Sequence, residues 1–162
     1  MDLTSPKIIK ELLAKYGAKP QKTMGQNFLI DKNALSKIVV SSGLQPEDNV
    51  LEAGPGLGVL TQELAKKANR VLSLEKDSLM ITILKETLVE YQNVEILNQD
   101  ILAFSDLPFE EYIIVANIPY YLTSPFIRKF LESPPKGKQP KKIVLLIQKE
   151  VAQRITAKPP DM

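Results

Sequence analysis

The segment Asn117-Ile118-Pro119-Tyr120 sets an amide, a main-chain carbonyl, a proline ring and an aromatic ring side by side. Those groups suit one chemical task. An exocyclic amine on an aromatic base, such as adenine N6, is a poor nucleophile because its lone pair is delocalised into the ring. Two acceptors that take hydrogen bonds from both N–H groups return the lone pair to nitrogen. Asn117 Oδ1 can be one. The carbonyl of Ile118 can be the other, since Pro119 holds Ile118 extended and brings no competing donor. Tyr120 can stack on a splayed-out base. Taken alone, the same four residues also read as a turn that ends a strand. The segments before them favour the chemical reading.

Upstream lies Leu51-Glu52-Ala53-Gly54-Pro55-Gly56-Leu57-Gly58. Glycines at 54, 56 and 58 let the backbone pass close to a ligand and turn into a helix. The N-terminus of that helix can hold a carboxylate or phosphate. Glu75 closes the next strand about 20 residues on, where a carboxylate can accept hydrogen bonds from both ribose hydroxyls. Two cofactors fit. The dinucleotide fingerprint needs Gly-x-Gly-x-x-Gly, but position 59 is Val. Gly-x-Gly-x-Gly after an acidic residue is the form that takes S-adenosyl-L-methionine. A nicotinamide dinucleotide stays the competing reading, and a glycine turn without a ligand the plainest one. Asp100 ends a third strand, where it can accept from an adenine amine while Ile101 and Leu102 pack on the ring. By itself an Asp there is more often a turn residue.

The chain contains no histidine and no cysteine. The first absence removes the commonest general base and metal ligand. It excludes Ser-His-Asp and Cys-His hydrolases, and no metal is expected. The second rules out disulfides and thiolate sites. Methyl transfer from a sulfonium needs neither residue. The amine becomes cationic as it accepts the methyl group and can shed its proton afterwards. Positioning supplies most of the acceleration.

The elements that must carry these groups follow from periodicity. Ser5-Pro6 starts a helix that Gly17 stops, with Ile8, Ile9, Leu12, Leu13 and Tyr16 at helical spacing. Residues 18–30 read as an irregular approach. Asp31 caps a helix to about Ser42, ended by Gly43. Strands are predicted over 49–53, 70–74, 94–97, 112–116 and 143–147. Helices are predicted over 57–67 and 78–91, from Ser124-Pro125, and from Val151. Strands alternating with helices predict a mostly parallel open sheet, covered on both faces. Such a sheet binds ligands at the carboxyl ends of its strands.

The 162 residues suffice for one domain, and a net charge of +2 names no partner. Lysines gather at 7, 10, 15, 19 and 22 and at 136, 138, 141 and 142. They could touch phosphates, or could simply be solvated. The N-terminus lacks a signal-peptide pattern and no apolar run reaches membrane-spanning length, which predicts a cytoplasmic protein without a membrane partner.

Gly25-Gln26-Asn27-Phe28-Leu29, the glycine loop through Thr61, Asn117-Ile118-Pro119-Tyr120-Tyr121 and Gln148-Lys149-Glu150-Val151-Ala152 together resemble the ribosomal RNA adenine N6-dimethyltransferases of the KsgA/RsmA type. The resemblance runs from about residue 20 to 157. It implies a Rossmann-like class I S-adenosylmethionine-dependent methyltransferase fold with its last two strands missing. Residues 1–30 would be an N-terminal helix and cofactor-closing segment, and 31–162 an incomplete catalytic domain. A C-terminal RNA-binding helical domain would be absent. By matching positions, Asn27 and Leu29 contact the cofactor with Gln26 nearby. Gly54, with Gly56 and Gly58, approaches the methionine part. Glu75 binds the ribose with Lys76 beside it, and Asp100 and Ile101 take the adenine. Asn117 bridges cofactor and target amine.

The implied partners are ribosomal RNA and the small-subunit assembly particle, where two adjacent adenines become N6,N6-dimethyladenosine. Large-subunit enzymes of the Erm type share most of these motifs, but Tyr121 and Thr123-Ser124-Pro125 look more like the small-subunit ones. A non-catalytic RNA-binding or transcription-factor relative on the same fold is a further alternative. Because family members continue well past residue 162, the chain alone is expected to methylate RNA weakly. The apolar strand 143–147 would be an open edge that favours self-association. A strictly monomeric elution profile at high concentration counts against that last expectation.

Overall fold

The computed structural model describes residues 1–18, 28–134 and 137–158. Five strands are paired in parallel: β1 (Asn49–Ala53), β2 (Arg70–Glu75), β3 (Val94–Asn98), β4 (Ile113–Asn117) and β5 (Lys142–Leu146). Their order is β3-β2-β1-β4-β5. The chain therefore reverses its direction of travel across the sheet between β1 and β4. A crevice opens at such a switch point, outside the carboxyl ends of the strands.

Every predicted strand is present, within one residue at each end. The helices are α1 (Pro6–Lys15), α2 (Lys32–Ser42), α3 (Val59–Ala65), α4 (Ser78–Thr87), α5 (Thr123–Ile127) and α6 (Lys149–Thr156). Two are shorter than periodicity suggested. α3 starts at Val59 rather than Leu57, because Gly54, Gly56 and Gly58 all have positive φ. α4 stops at Thr87 rather than Tyr91. There the Thr87 hydroxyl donates to the Leu57 carbonyl at 2.9 Å, and the Thr87 carbonyl accepts from Gln62 at 3.0 Å. These ties to α3 and the loop before it end the helix early. A 3-10 turn, Tyr120–Leu122, precedes α5, and a π-wound segment, Arg128–Glu132, follows it. Most of the irregular approach predicted for 18–30 lies outside the described residues.

Both faces of the sheet are covered. On one face Leu12, Ile38, Leu64 and Ile83 pack from α1 to α4 against Val50, Val71 and Val115. On the other, Phe126 and Phe130 join Phe104, Phe109 and Tyr112 against Leu51, Leu72 and Ile114. Among the described residues, no helix covers that second face along the connection between β3 and β4. The connection from Ile101 to Tyr112 does so with its own apolar side chains. α1 is clipped to α4 by Glu86, which accepts from Lys15 Nζ at 2.7 Å and from the Tyr16 hydroxyl.

Local signals hold where they are chemically specific. The Asp31 carboxylate accepts from the Asn33 and Ala34 N–H groups at the start of α2, and Gly43 ends it at φ +62°. Asp31→Ala removes that cap and is expected to cost about 1 kcal/mol, read as a lower midpoint in urea at unchanged slope.

Candidate active site

The carboxyl ends of the strands surround a cavity of about 390 Å³, within the usual size range for small-molecule sites. Gly54 and Gly56 enter it after β1, Glu75 at the end of β2, and Lys76 just after it. Asp100 and Ile101 follow from β3. Asn117, Ile118, Pro119 and Tyr120 come from β4, and Leu29 closes one side. Predicted residues from five chain segments thus share one space. Gln26 and Asn27 lie outside the described residues.

Gly58 is placed differently from expectation. It does not border the cavity. It precedes α3 at φ +92°, and a Cβ on it would come within 3.1 Å of Leu88 and 3.2 Å of Leu84. Its missing side chain lets α3 pack close to α4, which is a packing role. Gly56 has the reverse position: Phe28 lies 3.7 Å from where its Cβ would be. The ring covers the glycine loop from the cavity side. Phe28 stands in the Gly25–Leu29 motif that carries the family resemblance, but its contact with Gly56 joins residues far apart in sequence and no spacing shows it.

Two carboxylates lie at the β1 and β2 ends. Glu75 Oε1 accepts from the Asp77 N–H at 3.0 Å and Oε2 from the Gly56 N–H at 3.3 Å. Burial pushes its pKa up, and the two backbone donors partly offset this. Glu52 is 1% exposed. Its Oε2 accepts from Thr61 and Ser73 hydroxyls at 2.7 Å each, while Oε1 has no hydrogen-bond partner among the described residues. Burial raises its pKa to about 7 against these two hydroxyls, and the nearby Glu75 charge adds to the rise. The motif reading used Glu52 only as the acidic residue before the glycines; its burial is a tertiary fact.

That burial has a measurable consequence. A carboxyl whose folded-state pKa exceeds its unfolded value of 4.5 binds its proton more tightly when folded. Its contribution to stability is full at low pH and is lost as pH rises to about 7, a decline of roughly 3 kcal/mol at most. Glu52→Gln is expected to flatten the stability profile between about pH 5 and 8, seen in urea unfolding. A profile equally steep in the variant assigns the slope to other groups.

Asn117 is the last residue of β4 and pairs with Leu146, so its backbone is held by the sheet. Tyr120 and Tyr121 stand at the rim, 61% and 46% exposed, with rings 6.0 Å apart and nearly perpendicular. The second lysine cluster is largely engaged elsewhere. Lys138 donates to the Phe109 carbonyl, Lys141 pairs with Glu111 at 2.7 Å, and Lys142 donates to the Ser42 carbonyl. Among its described residues that cluster stitches loops together.

The sequence matches the ribosomal RNA adenine dimethylase family over residues 17–162. The chain belongs to that family. It is 45% identical to ribosomal RNA small subunit methyltransferase A of Bacillus licheniformis, across 98% of this chain and 56% of the relative. Against the protein of that name from Alkaliphilus oremlandii the figures are 45%, 97% and 56%. The chain thus spans about half the length of these curated relatives. Among solved structures, the 23S rRNA methyltransferase ErmE superposes with a TM-score of 0.73 at 37% identity, over 80% of this chain and 51% of that one. A dimethyladenosine transferase from Plasmodium falciparum gives 0.69 at 34% identity, over 81% and 46%. The Rossmann-like fold of this adenine dimethylase member is the one its sequence motifs implied. No helix among the described residues is long and apolar enough to cross a membrane.

Proposed function

We propose that this chain is the cofactor-binding and catalytic portion of an S-adenosyl-L-methionine-dependent enzyme acting on small-subunit (16S-type) ribosomal RNA. It transfers methyl groups to the N6 amine of adenines during ribosome assembly, giving N6,N6-dimethyladenosine. One observation carries the reading. The Asn117–Tyr120 loop opens into the same cavity as the glycine loop, Glu75 and Asp100.

The residues present fit the cofactor. Glu75 offers carboxylate oxygens for the ribose and Asp100 an acceptor for the adenine amine. Buried Ile101 offers an apolar face for the ring. Gly54 has φ +64° and nothing within 4 Å of a Cβ position, which leaves its backbone open to a ligand. When bound, S-adenosylmethionine supplies an electrophilic methyl carbon.

The protein's part is to make the amine nucleophilic and hold it in line. Asn117 Oδ1 and the Ile118 carbonyl accept its two hydrogens. Pro119, at φ −58° and ψ 147°, fixes the turn that aims that carbonyl. Tyr120 presents an exposed ring on which the target base stacks, worth roughly 1–3 kcal/mol. The proton leaves to solvent after transfer, so no side-chain base is required.

Addition of S-adenosylmethionine at 100 times its dissociation constant is expected to raise stability by about 2.7 kcal/mol, and NAD by nothing. Methyl transfer to small-subunit rather than large-subunit RNA then tests the substrate. The likeness to ErmE makes large-subunit RNA the competing substrate. Stabilisation by NAD alone would remove the proposal.

A further inference from the structure

Lys129 sits in the π-wound segment after α5 and is not part of the cavity wall. Its ammonium donates to the Leu102 carbonyl at 2.7 Å and to the Phe104 carbonyl. Those two carbonyls belong to the turn that leaves β3. The turn is closed by the Ala103 and Phe104 N–H groups, both donating to the Asp100 carbonyl at 3.0 Å. Its first side chain joins in: Asp100 Oδ1 accepts from the Leu102 N–H at 2.8 Å. Asp100, Ile101 and Leu102 border the cavity. Lys129 therefore grips from behind the turn whose front faces the ligand.

A lysine ordinarily sheds the cost of burial by swinging its ammonium into water. Here it stays half-buried against the Phe130 ring, 5.9 Å from its centroid. Burial pushes its pKa down and the Asp100 charge pushes back. Two charge-assisted hydrogen bonds and a neighbouring carboxylate offset the desolvation. The same stretch of chain runs back through α5 and the 3-10 turn to Tyr120 and Asn117. A single side chain thus ties the turn after β3 to the segment that follows the loop after β4.

We propose that Lys129 is a positioning residue for the purine end of the cofactor, holding the Asp100–Phe104 turn so that the Asp100 carboxylate meets the adenine amine. The proposal rests on the cofactor assignment above. Two of the ammonium's three donors go to the two carbonyls, and the Asp100 charge acts on the same ammonium through space. An apolar side chain in its place leaves both carbonyls unpaired and frees the turn to shift.

The test compares S-adenosylhomocysteine with its hypoxanthine counterpart, in which a carbonyl oxygen replaces the amine, by calorimetry on the intact chain. The unaltered protein is expected to prefer the adenine ligand roughly 10- to 100-fold, since Asp100 accepts from the amine and repels the oxygen. Lys129→Met is expected to shrink that preference at least about fivefold, and Lys129→Arg, which keeps charge and donors, to retain most of it. Should the methionine variant fail to fold, Lys129→Gln is read in its place, with an intermediate loss. A general loss of stability weakens both ligands alike and leaves the ratio unchanged. An unchanged ratio in a folded variant overturns the proposal while leaving the cofactor assignment intact. Absence of any adenine preference in the unaltered protein removes the assignment of Asp100, and the role of Lys129 with it.

Discussion

Asn117→Ala is expected to lower the rate of methyl transfer roughly 10²–10³-fold, the usual cost of one preorganised hydrogen-bonding group aimed at a reacting centre. The affinity for S-adenosylmethionine should stay within a few-fold. The asymmetry follows from position. Asn117 ends β4 and keeps its main-chain pairing with Leu146 whatever its side chain, so truncation leaves the strand and the Pro119 turn in place. What disappears is one of the two acceptors that localise the lone pair on the amine. The Ile118 carbonyl remains, so a small residual rate is expected rather than none. Single-turnover transfer of labelled methyl to small-subunit ribosomal RNA, beside a cofactor isotherm, separates the two quantities. Equal loss of binding and rate would move Asn117 from the target amine to the cofactor alone. Unchanged biological activity would favour a non-catalytic RNA-binding role.

Glu75→Gln is expected to weaken cofactor binding far more than it changes the stability of the free protein. The ribose offers two hydroxyl donors to one carboxylate. An amide can accept from one and presents N–H to the other, which forfeits a charge-assisted bond of about 1.5–3 kcal/mol. The dissociation constant should rise roughly 10- to 150-fold. The free protein should change little in stability, because two effects oppose each other. Burial already holds the Glu75 carboxyl above its ordinary pKa, so its charge is a cost to the fold. The neutral isostere relieves that cost but keeps one acceptor for the Asp77 N–H, and its amide nitrogen replaces the oxygen that takes the longer Gly56 N–H bond. Thermal melts with and without cofactor read both effects in one experiment. A variant that binds normally would place the ribose elsewhere.

The residues legible from sequence are those whose chemistry is local. Asn117-Ile118-Pro119-Tyr120 could be interpreted because proline fixes the geometry of its neighbour within the same four residues. Asp31 and Gly43 bound α2 because a cap is a contact across two or three positions. The strands appeared within one residue because continuous apolar runs mark a sheet buried on both faces. Gly54 and Glu75 were placed by spacing alone.

The order β3-β2-β1-β4-β5, and with it the crevice, depends on which strands pair across the sheet. Gly58 carries the same motif signal as Gly54, yet its space is taken up by Leu84 of α4 and by Leu88 just past its end. Phe28 over Gly56, the buried oxygen of Glu52 and the grip of Lys129 on Leu102 and Phe104 all join segments from nine to 28 residues apart. The sequence by itself determined the chemistry available to this protein, since residue type and backbone restriction act within a few positions. Only the tertiary structure decided which of those groups are desolvated, which are held and which are merely packed. Burial and long-range hydrogen bonds are properties of the assembled sheet and not of any stretch of chain.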